Sequence, residues 1–222
     1  MNTPAVFLPF FNKLNGRQKD VLISAVQNRH FARGDVIHHG GNCEGLIVVT
    51  SGRIRVYALS DEGKEITLYR LLERDICLFS ASCIMPGLRF EVLANAETET
   101  DAFIIPASVY KSLMAESVAV ANYTNNLLAS RFSDVMWLFD QILNKKLDTR
   151  LAAFLIEESQ LNDSNVLYLT HEDIANHLGS MREVITRMLK YFAAEGLVKL
   201  GRGRITLLNV QTLSDMAKDS LK

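Results

Sequence analysis

Residues 169–190 read LTHEDIANHLGSMREVITRMLK, and this stretch predicts two helices joined by a short turn. Thr170 occupies an N-cap position with the carboxylate of Asp173 three residues later, a variant of the capping box, so a helix is expected to begin at His171. The helix is expected to run for about two turns, because Gly179 then supplies the positive φ of a helix C-cap. A short helix, a glycine turn and a second helix together form the helix-turn-helix arrangement.

The second helix of this stretch, expected to begin at Ser180 or Met181, divides into an apolar face and a charged face. Its spacing turns four apolar side chains inward: Val184, Ile185, Met188 and Leu189. Five polar side chains are expected outside, most of them on one face: Arg182, Glu183, Thr186, Arg187 and Lys190. Arginine can donate two hydrogen bonds to guanine and glutamate can accept one from cytosine, whereas Thr and Lys suit phosphate oxygens. The pattern therefore favours a helix that reads DNA over one that is merely solvated.

A basic hairpin is expected after the second helix. Two strand-like runs, 197–200 and 204–208, bracket the turn Gly201-Arg202-Gly203, and the hairpin carries three cations: Lys199, Arg202 and Arg204. Between residues 166 and 208 there are six Lys and Arg and four Asp and Glu, six minus four or +2, whereas the whole chain has 24 and 25. A nucleic-acid surface must therefore be local. The order of parts predicts a winged helix-turn-helix, and Thr170 and Ser180 complete its candidate DNA-binding residues.

Residues 31–105 have the pattern of antiparallel β structure. Short runs rich in β-branched residues alternate with turn signals at four places: 33–35, 40–42, 51–52 and 61–64. The runs 53–57 and 65–69 flank the last of these turns, which predicts a hairpin. Many short strands at even spacing indicate a barrel, a roll or a jelly roll.

After Pro106 the pattern changes to helical spacing, with no strand signal until Val198, and one long helix is expected from about Val118 to Lys145. Its length would be about 40 Å. Five apolar residues form a stripe along it: Leu128, Phe132, Val135, Phe139 and Ile142. Such a stripe needs more apolar cover than a small roll supplies, which favours pairing with a second copy, although packing on its own chain stays open. A shorter helix at 151–158 and a polar loop at 160–165 are expected next.

The order of these parts resembles the cyclic-AMP receptor protein and fumarate-nitrate reduction regulator (Crp/Fnr) family over nearly the whole chain. The strongest pieces are SGRI at 51–54, DEGKEI at 61–66 and the segment 169–197, whose core is Arg182, Glu183 and Arg187. The resemblance implies an α+β fold: an N-terminal antiparallel β-roll, a jelly roll of cyclic-nucleotide-binding type, then a long dimerisation helix and a C-terminal winged helix-turn-helix. It also implies a parallel homodimer, a palindromic double-stranded DNA site with TGTGA-like halves, RNA polymerase as a second partner and a small-molecule effector.

On this basis the chain is divided into three parts. Residues 1–117 are expected to form an effector-sensing β-roll domain, residues 118–145 a central dimerisation helix, and residues 146–222 a winged helix-turn-helix DNA-binding domain. The N-terminus lacks a basic, apolar leader and no apolar stretch approaches the ~18 residues of a membrane span, so a cytoplasmic protein without a membrane partner is expected.

The effector segment departs from the pattern of cyclic-nucleotide binders. Those proteins carry Gly-Glu, for the ribose hydroxyl, and later Arg-Ser or Arg-Thr, for the phosphate. Here Leu78-Phe79 and Arg89-Phe90 stand at these places, and neither phenylalanine can supply the missing polar contact. We predict that cyclic AMP is not the effector, while Arg89 either holds another anion or forms a surface ion pair. The candidate effector-binding residues are Cys77, Leu78, Phe79, Cys83, Arg89 and Phe90.

The cofactor is left unassigned by the sequence. Three cysteines, Cys43, Cys77 and Cys83, suit a reducing compartment, and an iron–sulfur cluster is not expected because the N-terminal cysteine cluster of that branch is absent. A thiol switch between Cys77 and Cys83 and buried structural cysteines both stay open. Haem ligation by His30, His38 or His39 has no support beyond the residue type.

Two other functions are weighed against a regulated DNA-binding protein. A metal-dependent enzyme of cupin type is suggested by the β-rich half and by His38-His39 near Glu44. Adjacent histidines on a strand point to opposite faces, so no metal site and no enzymatic activity are expected. A DNA-binding regulator whose β domain is purely structural stays open.

Overall fold

The computed structural model describes residues 4–39, 45–77 and 92–221. The chain separates into two compact units, one made of Met1–Ala58 and Leu68–Val135, the other of Leu59–Thr67 and Met136–Lys222. Within the described ranges, no helix is long and apolar enough to cross a membrane.

The first unit opens with three short helical segments: α1 at Pro4–Phe7, a 3₁₀ turn at Phe11–Lys13 and α2 at Gly16–Ala25. Helix α2 begins with a complete capping box, in which the Asn15 side chain accepts from the Gln18 amide at 2.9 Å and the Gln18 side chain accepts from the Asn15 amide at 3.1 Å. No helix was predicted here, although the Asn-x-x-Gln spacing of Asn15 and Gln18 is typical of a capping box at a helix start.

Eight strands follow in the described part of the roll: β1 Gln27–Phe31, β2 Val36–His39, β3 Leu46–Ser51, β4 Ile54–Leu59, β5 Glu65–Leu71, β6 Ile76–Cys77, β7 Leu93–Ala96 and β8 Thr100–Ile105. They form two four-stranded sheets in the orders β1-β8-β3-β6 and β2-β7-β4-β5, with antiparallel pairing. The predicted antiparallel β-roll is confirmed.

The central strand β3 is buried on both faces. Leu46 and Val48 belong to the core beneath the helices, whereas Ile47 and Val49 belong to a second core between the sheets. Because its alternate side chains enter two different cores, β3 is apolar continuously rather than at every second residue.

The hairpin predicted around residues 61–64 is confirmed, with β4 and β5 as neighbours in their sheet. The turn is closed by the Ser60 amide, which donates to the Lys64 carbonyl at 2.8 Å, and Gly63 has a φ of 78°. A side chain other than glycine is strained at that φ, so the sequence Asp-Glu-Gly-Lys suits the turn.

Two helices follow the roll: α3 at Ala107–Glu116, directly after Pro106, and α4 at Val118–Asn144. The bounds of α4 confirm the long helix expected from 118 to 145. Near its start Thr124 is fully buried, and its hydroxyl lies 2.7 Å from the hydroxyl of Tyr110 on α3. This contact ties α4 to the core of the first unit.

The second unit continues with four helices and three strands: α5 Leu147–Leu161, β9 Val166–Leu167, α6 His171–Leu178, α7 Arg182–Ala194, β10 Val198–Gly201, β11 Arg204–Leu207 and α8 Val210–Ala217. Its core is apolar, and its most buried members include Leu151, Leu155, Ile174, Ile185, Leu189 and Phe192.

Two predictions for this unit were wrong. Helix α5 extends beyond 151–158 at both ends, so Gln160 and Leu161 are helical and the loop begins later. Strand β9 lies where none was expected before Val198, and it pairs with β11 through Leu167 and Ile205. A strand of two residues is too short to show a period of its own, and it forms because β11 supplies the hydrogen-bonding partner.

Candidate nucleic-acid interface

The first helix of the predicted pair, α6, begins as the sequence indicates. The hydroxyl of Thr170 accepts from the Asp173 amide at 3.1 Å, and the Asp173 carboxylate accepts from the Thr170 amide at 2.8 Å. The same hydroxyl donates to that carboxylate at 2.8 Å. The structure therefore assigns Thr170 to the cap, and its role as a DNA ligand stays a prediction.

The turn after α6 is a glycine C-cap, as predicted. Gly179 has a φ of 65°, and the amide of Ser180 reaches back to the Ala175 carbonyl at 3.0 Å. A contact that the sequence did not reveal fixes this end: Arg150 of α5 donates from Nη2 to the Leu178 carbonyl at 2.7 Å. A cation at a helix C-terminus is electrostatically favourable, although burial lowers the pKa of Arg150.

Helix α7, the candidate recognition helix, begins at Arg182, slightly later than the sequence suggested, with Met181 as its N-cap. Ile185, Leu189 and Phe192 are fully buried, and Val184 and Met188 are half-buried. The opposite face exposes four charged side chains: Arg182, Glu183, Arg187 and Lys190. The core therefore holds one face of α7 in place, and the opposite face presents charged side chains to solvent.

The fifth polar residue predicted on this face, Thr186, is half-buried instead of exposed. Its hydroxyl lies 2.8 Å from Nδ1 of His171, the first residue of α6. Partial burial and the cations Arg182 and Lys190 lower the pKa of His171 below its usual 6.5. The sequence identified His171 only as the start of a helix, and its position next to the Thr170 N-cap was the available signal for its place in the interface.

The wing is the hairpin of β10 and β11, with Gly201 paired to Arg204. The turn is therefore the dipeptide Arg202-Gly203, where Gly203 has a φ of 63°, and Gly201 lies in the strand rather than in the turn as predicted. The three predicted cations of the wing are all exposed: Lys199, Arg202 and Arg204.

A solvent-accessible groove of about 490 Å³ lies between these elements. It is lined by residues 169–172 at the start of α6, by Arg182 at the start of α7, and by Gly201, Gly203 and Ile205 of the wing. Helix N-termini, a cation and glycine backbone together form surroundings that suit an anion.

The predicted dimer residues lie on α4, and most are exposed in the single chain. Phe132, Val135, Phe139 and Ile142 keep 68%, 39%, 55% and 46% of their surface accessible. Leu128 is half-buried against the core of the first unit.

The predicted effector residues are mostly outside the described ranges. Cys77 is buried at the end of β6, whereas Leu78, Phe79, Cys83, Arg89 and Phe90 are not described, and their assignment stays a prediction.

The histidines considered as haem or metal ligands lie on two strands, His30 on β1 and His38 and His39 on β2. His30 is exposed, and its ring nitrogens lie 2.8 Å from Asp101 and 3.1 Å from Glu99, which raises the pKa of His30. Across the described part of the chain, no group of three His, Cys, Asp or Glu side chains is placed to hold a metal ion.

A β-roll, a long helix and a winged helix-turn-helix with a charged exposed face define a class, that of DNA-binding regulators with an N-terminal roll. Comparisons with known proteins agree. Residues 28–117 match the model of the cyclic nucleotide-binding domain, and residues 149–216 match that of the Crp-like helix-turn-helix domain.

The solved structure of a transcriptional regulator of the Crp/Fnr family from Eubacterium rectale is 54% identical to this chain, with a TM-score of 0.94, and the match covers 96% of this chain and 99% of that one. The cyclic AMP receptor protein of Thermus thermophilus is 25% identical over 94% of this chain and 96% of its own length. The fumarate and nitrate reduction regulatory protein of Vibrio cholerae is 24% identical over 95% of this chain and 86% of its own length. The chain belongs to the Crp/Fnr family of DNA-binding transcription regulators.

Proposed function

We propose that this protein is a homodimeric regulator that reads a palindromic DNA site with TGTGA-like half-sites through Arg182, Glu183 and Arg187 of α7. The observation that carries the proposal is the two-faced recognition helix. Its buried residues anchor it in the core, and its exposed charged residues have the chemistry for guanine and cytosine edges in the major groove. Two such helices in one dimer require two half-sites about one DNA turn apart.

The remaining cations around the recognition helix hold the DNA backbone in this proposal. Lys190 on α7 and the wing residues Lys199, Arg202 and Arg204 are exposed, and phosphate contacts of this kind position a protein without reading sequence. Thr170, Ser180 and Thr186 complete the proposed DNA-binding residues.

Dimerisation is proposed through α4. Large apolar side chains at this exposure are unfavourable in water, and four of them recur on one stripe of a helix 27 residues long. A second α4 lying parallel would cover the stripe with the same residues.

The roll is proposed to control DNA binding through an effector other than cyclic AMP, held by Cys77, Leu78, Phe79, Cys83, Arg89 and Phe90. The support is the loss of two polar anchors in the sequence, where Phe79 and Phe90 stand in place of the Glu and the Ser or Thr of cyclic-nucleotide binders, while Arg89 matches the phosphate arginine. RNA polymerase is the proposed second partner, and the cytoplasm, where the DNA is, the proposed compartment. The proposed division keeps residues 1–117 for sensing, 118–145 for dimerisation and 146–222 for DNA.

Fluorescence anisotropy with two labelled duplexes tests the proposal. One duplex carries two TGTGA half-sites as an inverted repeat, and the other has the same composition in scrambled order. The protein should bind the first duplex at least ~10³-fold more tightly at a fixed salt concentration. Equal affinity for both would refute the half-site assignment, and no binding to either at low salt would refute DNA binding itself.

Calorimetry with cyclic AMP tests the effector assignment. No tight binding is expected, because Phe79 and Phe90 replace two of the polar anchors. A dissociation constant in the micromolar range or below would contradict this part of the proposal. Should no ligand that co-purifies with the protein alter its affinity for DNA, a purely structural roll becomes the better description.

A further inference from the structure

His171 lies between the two helices of the helix-turn-helix. It is the first residue of α6, and its Nδ1 is 2.8 Å from the hydroxyl of Thr186 on α7. Over residues 4–39, 45–77 and 92–221, its second ring nitrogen, Nε2, has no hydrogen-bonding partner. One nitrogen is therefore engaged in the fold and the other remains available.

The charged groups around His171 come mainly from α7. Arg182 and Lys190 lie close enough to oppose protonation of the imidazole, and partial burial acts in the same direction. On its own helix, Glu172 is exposed and Asp173 is engaged by the Thr170 cap. On the wing side, the groove is lined by Gly201, Gly203 and Ile205, none of which titrates.

His171 also lines the groove of about 490 Å³, together with Arg182 and the glycines of the wing. A DNA strand that contacts both the recognition helix and the wing brings backbone phosphates to this side of the protein. A phosphate carries the charge that the site lacks, since it offsets Arg182 and Lys190 and can accept a hydrogen bond from a protonated ring.

We propose that His171 is a proton-linked positioning residue of the DNA interface, so that the protein takes up a proton from solvent at this imidazole when a DNA phosphate enters the groove. The proposal rests on the DNA-binding function proposed above. In the imidazolium form both ring nitrogens donate, one to the Thr186 hydroxyl and the other toward the phosphate. His171 then couples the recognition helix to the DNA backbone in a manner that depends on pH.

The sign of the dependence follows from the two states. In the protein without DNA, partial burial and the neighbouring cations lower the pKa of His171, which favours the neutral ring. A bound phosphate raises that pKa, and the bound state then holds more protons than the unbound state between the two pKa values. DNA affinity should therefore increase as the pH falls through this window.

Two variants separate charge from shape. His171→Asn is neutral at every pH and keeps an amide near the position of Nδ1, where it can still bond to Thr186. His171→Arg is charged at every pH. His30→Asn serves as the control, because His30 also titrates but bonds to Asp101 and Glu99 in the first unit.

The experiment measures anisotropy with the inverted-repeat duplex and with the scrambled duplex from about pH 5.5 to about pH 8. Wild type and His30→Asn should tighten as the pH falls, by up to about tenfold per pH unit for each proton taken up. His171→Asn and His171→Arg should both lose that part of the slope, on both duplexes, since phosphates occur in every sequence. Calorimetry in two buffers of different ionisation enthalpy should show this proton uptake for the wild type and His30→Asn, and not for His171→Asn or His171→Arg.

The outcomes separate the two proposals. Parallel pH profiles for wild type, His171→Asn and His171→Arg overturn the proton linkage while leaving DNA binding intact. Failure of the wild type to bind either duplex overturns the proposed function. If His171→Asn does not fold, the loss or retention of slope in His171→Arg decides the question.

Discussion

Helices α4 and α7 are both amphipathic and both bury one face, but they expose opposite chemistry. Along α4, Phe132 and Phe139 keep more than half of their surface accessible. Along α7, most of the exposed side chains are charged, among them Arg182, Arg187 and Lys190, although Tyr191 is exposed as well. The same helical geometry therefore presents an apolar stripe in one place and a charged surface in the other.

The difference indicates what each helix is for. Charged side chains are well solvated by water, and cations on a rigid helix also interact favourably with DNA phosphates. Exposed phenylalanines are not stabilised by water and are expected to be covered by apolar surface. The apolar stripe of α4 is therefore the surface that we propose a second copy covers, whereas the charged surface of α7 suits an anionic partner.

The largest expected effect comes from giving α4 the chemistry of α7. Phe139→Glu places a carboxylate at each copy of the stripe, where a dimer would leave it desolvated and unpaired. The dissociation constant of the dimer should rise by about 100-fold or more, equivalent to about 2.7 kcal/mol. Sedimentation equilibrium measures this change directly.

Ser130→Glu is the matched control. Ser130 is exposed and lies on the side of α4 roughly opposite the stripe, so an added carboxylate remains in water. Its dimerisation should equal that of the wild type. If Phe139→Glu also dimerises as tightly as the wild type, the interface lies elsewhere.

The next effect concerns the charged face of α7. Arg187→Ala removes an exposed guanidinium that is proposed to contact guanine, and it should weaken binding to the inverted-repeat duplex by about 1–3 kcal/mol while changing scrambled-duplex binding little. The quantity to measure is the ratio of the two dissociation constants at one salt concentration.

Lys199→Ala on the wing provides the contrast, since an exposed lysine there is proposed to contact phosphate. It should weaken binding to both duplexes alike, and the salt dependence of the binding affinity should fall by the contribution of about one phosphate contact. If Arg187→Ala behaves in the same way as Lys199→Ala, then Arg187 is a phosphate ligand and the base-reading assignment is wrong.

Local sequence signals predicted much of the second unit because local physics controls it. Thr170 and Asp173 cap α6 through contacts three residues apart, and Gly179 ends it through its own φ. The apolar spacing of α7 identified Ile185 and Leu189 as inward-facing, since helical period alone decides that.

The remainder depended on partners that are distant in sequence. Arg150 bonds to the carbonyl of Leu178, and Thr186 bonds to His171, 15 residues before it. Neither contact leaves a periodic trace. Thr186 was predicted to be exposed because helical spacing places it on one face with Glu183, Arg187 and Lys190. Only the packing of α6 against α7 turns its hydroxyl to the imidazole of His171.

The smallest effect tests the turn that sets the direction of the charged face. Gly179→Ala places a Cβ at a φ of 65°, which should lower the free energy of unfolding by about 1–2 kcal/mol in a urea titration followed by far-UV circular dichroism. Gly16→Ala is the control, because Gly16 begins α2 with open space around its Cβ position, so stability should be unchanged or rise by up to about 1 kcal/mol.

Since Gly179→Ala removes no charge, its DNA affinity, measured well below the unfolding midpoint, should fall less than that of Arg187→Ala. A larger loss of affinity than Arg187→Ala shows would mean that the orientation of α7, more than the identity of its exposed side chains, determines binding.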